Sequence, residues 1–140
     1  MKRVVTVLVV LLVYLSLQGA DFICFQEDKN YINDTDTFTI YCEIDKKMEK
    51  ITMNWNVTVP TVRTAITWKR NLGKFFLKKM RKDLLNQDVL QFTDVTVVSK
   101  VSKRYKFKNI LFEGVPYTYV LNEYLRKNRI RYRINDKKKE

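Results

Sequence analysis

Between Lys50 and Pro60 the chain reads KITMNWNVTVP, with an apolar residue at every second position. Ile51, Met53, Trp55, Val57 and Val59 fall on one side of an extended backbone, and Thr52, Asn54, Asn56 and Thr58 on the other. This period of two suits a strand with one face on a core and the other in water, and it excludes an amphipathic helix over the same stretch. A strand so divided belongs to an antiparallel sheet, because all-parallel sheets are apolar on both faces. The pattern recurs upstream, where Phe38, Ile40, Cys42 and Ile44 alternate with Thr37, Thr39, Tyr41 and Glu43. It recurs downstream in VRTAITWKR, which sets Trp68 on one face with Val62 and Ile66. These three runs are expected as neighbouring antiparallel strands, with DKKMEK (45–50) as the turn joining the first two.

Further strand-like runs, VLQFTDVTVVSKVS, RYKFKNILF and RIRYRI, predict a mostly β chain folded as one antiparallel β-sandwich or strongly curved sheet. The exception is 74–85. There Phe76, Leu77, Met80 and Leu84 gather on one side of a helical wheel and Lys78, Lys79 and Lys82 on the other, which predicts a short amphipathic helix. A weaker helical turn is expected near VLNEYLRKN (120–128).

The amino terminus sets the compartment. Lys2 and Arg3 precede an apolar run from Val4 to Leu17 and then Gly19-Ala20, the order of a secretory signal peptide over 1–20. The apolar run is shorter than the roughly twenty residues that span a bilayer. Export is therefore the expectation, with a single secreted domain over 21–134, a basic flexible tail at 135–140 and no membrane span after cleavage. About 120 residues are enough for one core and not for two. Cys24 and Cys42 are the only cysteines, and an even count in an exported chain predicts a disulfide between them. Two sequons, Asn33-Asp34-Thr35 and Asn56-Val57-Thr58, are candidate N-glycosylation sites.

Much chemistry is excluded. The chain has no histidine, which removes Ser-His-Asp and Cys-His nucleophiles and His-ligated zinc. No Gly-rich phosphate loop or dinucleotide fingerprint is present. The reading is a non-enzymatic protein with no catalytic residues, no cofactor and no metal. What remains is charge and aromatic surface. The formal charge is +12, and basic residues concentrate at Lys78, Lys79, Arg81 and Lys82 and at Arg129, Arg131 and Arg133, three arginines expected on one strand face. Stripes of this kind bind a receptor, an anionic polysaccharide or a membrane surface; an exported protein seldom meets nucleic acid, so that partner is not expected.

At TWKRNLGKFFL the chain resembles the insect family of small secreted proteins related to the chemosensory B proteins, itself similar to the ganglioside-activator type of lipid-recognition fold. Lys69, Arg70, Gly73, Phe76 and Leu77 carry the likeness, with Cys42 and Pro60 upstream, over residues 38–80. The family's later cysteines have no counterpart here, so its disulfides and pocket residues do not carry over. The resemblance implies a β-sandwich that admits a small apolar or lipid-like ligand. In that reading Trp55 and Trp68, with Ile40, Val57, Ile66, Phe92 and Phe107, line an apolar cavity. In the alternative the same side chains fill a dry core, and the protein acts through its basic faces.

Overall fold

A computed structural model describes residues 20–26, 31–61 and 67–136. Ten strands run in chain order: β1 (Ala20–Phe25), β2 (Ile32–Asp34), β3 (Thr37–Ile44), β4 (Lys47–Trp55), β5 (Val57–Thr58), β6 (Val89–Ser99), β7 (Arg104–Phe107), β8 (Asn109–Phe112), β9 (Val115–Pro116) and β10 (Asn135–Asp136). Helix α1 (Thr67–Leu84) separates β5 from β6, and α2 (Tyr117–Lys127) precedes β10. The mostly β expectation holds, as one curved sheet of eight strands with a two-stranded annex of β5 and β10.

The sheet closes on itself. β1 pairs with β3 on one side and β6 on the other, β3 with β4, β4 with β7, and β7 with β6, which returns to β1. Strands β6-β1-β3-β4 stand in Greek-key order, the fourth strand returning beside the first after the long excursion through α1. β7 then seals a five-stranded ring by lying antiparallel to β6 and parallel to β4. A closed five-stranded Greek-key ring is the architecture class of OB-type barrels. The β4–β7 pair departs from the all-antiparallel expectation. Alternation on β4 specifies only that one face is buried, and both pairing directions satisfy that condition once the ring is closed.

Alternation places the inner residues as expected. Phe38, Ile40 and Cys42 of β3 and Ile51, Met53 and Trp55 of β4 are buried. The β3–β4 turn is tighter than DKKMEK: only Asp45 and Lys46 lie outside the ladder, both at positive φ, and Lys47 already pairs with Ile44. Cys24 and Cys42 sit opposite each other on β1 and β3 and are disulfide-bonded, their Cα atoms 4.2 Å apart.

Two segments change character. VRTAITWKR ends in a helix rather than a strand: Thr67 to Arg70 form the first turn of α1, while 62–66, with Val62 and Ile66, lie outside the described residues. The helix therefore starts seven residues before Lys74. Leu72, Phe76, Met80 and Leu84 form its buried stripe, with Leu77 partly buried beside them, so the expected apolar face is present along a longer helix. RIRYRI joins no described ladder. Residues 130–134 follow α2 without joining a strand, with Arg129, Arg131 and Arg133 exposed, Ile130 and Tyr132 half-buried and Ile134 buried. The alternation survives without strand pairing because the core supplies the apolar surface, with the Tyr132 ring meeting Phe76 of α1 at 6.2 Å. Asn135 and Asp136, expected in the tail, pair with Thr58 and Val57, which extends the domain beyond 134.

A candidate anion-binding groove

The described side chains of the expected apolar site pack on one another. Phe38, Phe92 and Phe107 meet edge-to-face inside the barrel at centroid distances of 4.7 to 5.9 Å, and Trp55 stacks on Phe107 at 5.7 Å. The Trp55 Nε1–H donates to the Lys108 carbonyl at 2.9 Å, so the polar end of the indole is satisfied. Ile40, Trp55, Val57, Phe92 and Phe107 are all buried within this one core. Of these five, only Val57 borders a described cavity, and that cavity opens outward from the barrel. Trp68 belongs to α1 and not to a strand beside Trp55.

The described cavities lie around α2. One, of about 660 Å³, is bounded by Lys108, Asn109, Thr118, Tyr119, Asn122 and Arg133 among others; a second, of about 630 Å³, takes in Arg126, Arg131 and Tyr132. Both include Tyr119, Asn122 and Arg133, so they adjoin along the groove between α2 and residues 130–134. Its walls are fixed by hydrogen bonds of two asparagine side chains. Asn109 Oδ1 accepts from the Thr118 N–H at 3.4 Å while its Nδ2 donates to the Thr118 hydroxyl at 3.0 Å, which ties the start of α2 to β8. Asn122 Oδ1 accepts from the Ile134 N–H at 3.0 Å, pinning the opposite wall.

The groove is cationic. Lys108, Arg126, Arg131 and Arg133 line it, and among the described residues no carboxylate does. Arg126 is engaged by Glu123, whose carboxyl is held below its usual range by that hydrogen bond and charge. Lys108, Arg131 and Arg133 have no ion-pair partner among the described residues. In their midst Tyr119 stands 68 % exposed, a flat aromatic surface held out to solvent. Donors around an exposed ring suit an anionic ligand with a flat face. Among the described residues no three of His, Cys, Asp and Glu gather closely enough to hold a metal ion.

The other basic candidates do not converge here. Lys79 is partly buried, pairs with Asp83 at 3.1 Å and lies over the Tyr124 ring at 4.7 Å; Asp83 in turn accepts from the Tyr117 hydroxyl at 2.8 Å. Arg81 donates to the Ile32 carbonyl at 3.1 Å. Lys78 and Lys82 remain exposed on α1, and Arg129 lies at positive φ just past the end of α2. Of the two sequons, Asn33 is exposed while Thr35 is buried and donates to the Pro60 carbonyl; Asn56 is half-buried at the bend after β4.

Arg131 and Arg133 are legible in the sequence, as are Arg126 at the start of the same basic run and Tyr119 in an aromatic group, whereas Lys108 and Asn122 carry no signal of their own. The spacing Tyr119, Asn122, Arg126 is a polar stripe of a helix, a signal weakened by reading that stretch as a single turn. No family model matches the chain, and no curated protein or solved structure matches it. The groove is accordingly read from its own geometry.

Proposed function

We propose that the protein is a secreted, non-enzymatic binding protein that engages an acidic polysaccharide through the groove between α2 and residues 130–134. The observation that carries the reading is the placing of Lys108, Arg131 and Arg133 along two adjoining cavities that share the exposed Tyr119, with no carboxylate among the described lining residues. Guanidinium groups match sulfate and carboxylate oxygens in paired contacts, and an aromatic face stacks against a sugar ring. The signal-like amino terminus and the internal disulfide support an extracellular setting, where such chains occur. Among the described residues no helix is long and apolar enough to cross a membrane. The small apolar ligand has less support, since the aromatic side chains that would line its pocket pack on one another.

Calorimetry with a short sulfated oligosaccharide tests the reading. Binding is expected to weaken as salt rises from about 50 to 200 mM, through counterion release. Joint replacement K108A/R131A/R133A is expected to weaken it about tenfold or more, at roughly 0.5 to 1 kcal/mol per lost contact. Equal affinity of the variant and the parent protein would show that the groove is not the site.

A further inference from the structure

The hairpin of β6 and β7 carries apolar side chains where a soluble strand pair carries polar ones. Val97 and Val98 are adjacent in sequence where the β6–β7 register shifts, and are 51 % and 50 % exposed, so the irregular end of the strand holds both side chains in solvent. Val101, at the tip, is 97 % exposed. Around these valines stand Lys100, Lys103, Arg104 and Lys106, and from Val95 to Phe112 the chain contains no acidic residue. The β3–β4 turn lies at the same end of the barrel, since Thr52 of β4 pairs in parallel with Arg104 and the Thr52 N–H donates to the Lys103 carbonyl at 2.9 Å. That turn adds the half-exposed Met48 with Lys46 and Lys47. Its acids are Glu43, Asp45 and Glu49, of which Glu49 lies 4.0 Å from Lys103.

We infer that this end of the barrel docks on an anionic lipid bilayer, with Val98 and Val101 entering the boundary between headgroups and acyl chains and Lys100, Lys103 and Arg104 meeting lipid phosphates. The commitment to lipid rests on the pairing of the two features. A cationic hairpin alone fits any polyanion, but a fully exposed valine at its apex gains only where an apolar phase lies directly beneath the charged layer. The site is separate from the α2 groove and goes beyond the polysaccharide reading.

Co-sedimentation with vesicles of phosphatidylcholine alone, and with phosphatidylserine added, tests it. The full chain is expected to pellet with the phosphatidylserine vesicles and to stay largely in solution with the others. V101D is expected to reduce that binding about tenfold. Its melting temperature should match the parent protein's, because the side chain contributes little to the folded core. R131A/R133A should bind vesicles as well as the parent does. Three results would overturn the inference: V101D binding like the parent while K100E/K103E does not, which would leave only charge attraction; loss of vesicle binding in R131A/R133A, which would move the lipid contact to the groove; or a vesicle-free dimer that V101D dissolves, which would make the hairpin a contact between copies of this chain.

Discussion

Gly73 is buried on α1 at the point where the helix crosses Pro60 and Thr61. A methyl group added there would stand 2.9 Å from both the carbonyl carbon and the carbonyl oxygen of Thr61, and 3.2 Å from the Pro60 carbonyl oxygen. These are backbone atoms that cannot rotate aside. G73A is therefore expected to lose about 1 to 3 kcal/mol, read as a lower urea midpoint, although alanine is the better helix former. A second residue-scale expectation concerns two buried phenols. Burial pushes Tyr31 above its ordinary value of 10.0, and burial together with the hydrogen bond to Asp83 raises Tyr117. The Tyr31 hydroxyl donates to the Leu84 carbonyl at 2.8 Å, a bond that needs its proton. The folded protein keeps both protons where the unfolded chain releases them, so their contribution is fully present below pH 10 and falls above it. The slope is about 1.4 kcal/mol per pH unit for each tyrosine. Denaturation midpoints between about pH 9 and 11 are expected to show this decline, and Y31F to show a shallower one; a flat profile would contradict the assignment.

The disulfide belongs to the scale of elements, because it joins the first strand of the ring to the second. Its eighteen-residue separation corresponds to about 3 kcal/mol in the chain-entropy picture. C24A/C42A is expected to unfold at a correspondingly lower denaturant concentration while keeping its far-ultraviolet spectrum, since ten further inner residues of β3, β4, β6 and β7 still close the core. Elements with a strong period were legible in the sequence. β3 and β4 follow from alternation alone, and the buried stripe of α1 follows from Phe76, Met80 and Leu84. Trp68 was misplaced because the nine residues 62–70 alternate over a span too short to separate a strand from a helix start. RIRYRI was misplaced for a different reason. Its alternation is real, but what it records is one side facing the core, where Tyr132 meets Phe76 of α1, and one facing water, and a segment laid over an apolar surface without pairing shows the same period.

For the whole molecule, the mostly β character was legible and the closed ring was not. Period two reports burial on one face; it carries no information on which strand is the neighbour or on the direction of pairing. The groove was half legible for a related reason. Arg131 and Arg133 are close in sequence, whereas Lys108 and Tyr119 reach them only through the turn of β8 and β9 and the placement of α2. The parallel seam between β4 and β7 has a further consequence for how the molecule forms. It joins residues about fifty positions apart, with Thr52 beside Arg104, and forming it costs the closure entropy of the chain between them. Ring closure is therefore expected to be slow, with folding in the millisecond-to-second regime of non-local β topologies, which stopped-flow refolding would check. Until it occurs, β4 and β7 present unpaired edges that fit each other in another chain as well as in their own. Dilute conditions favour closure within one chain, and crowded synthesis favours exchange of strands between two.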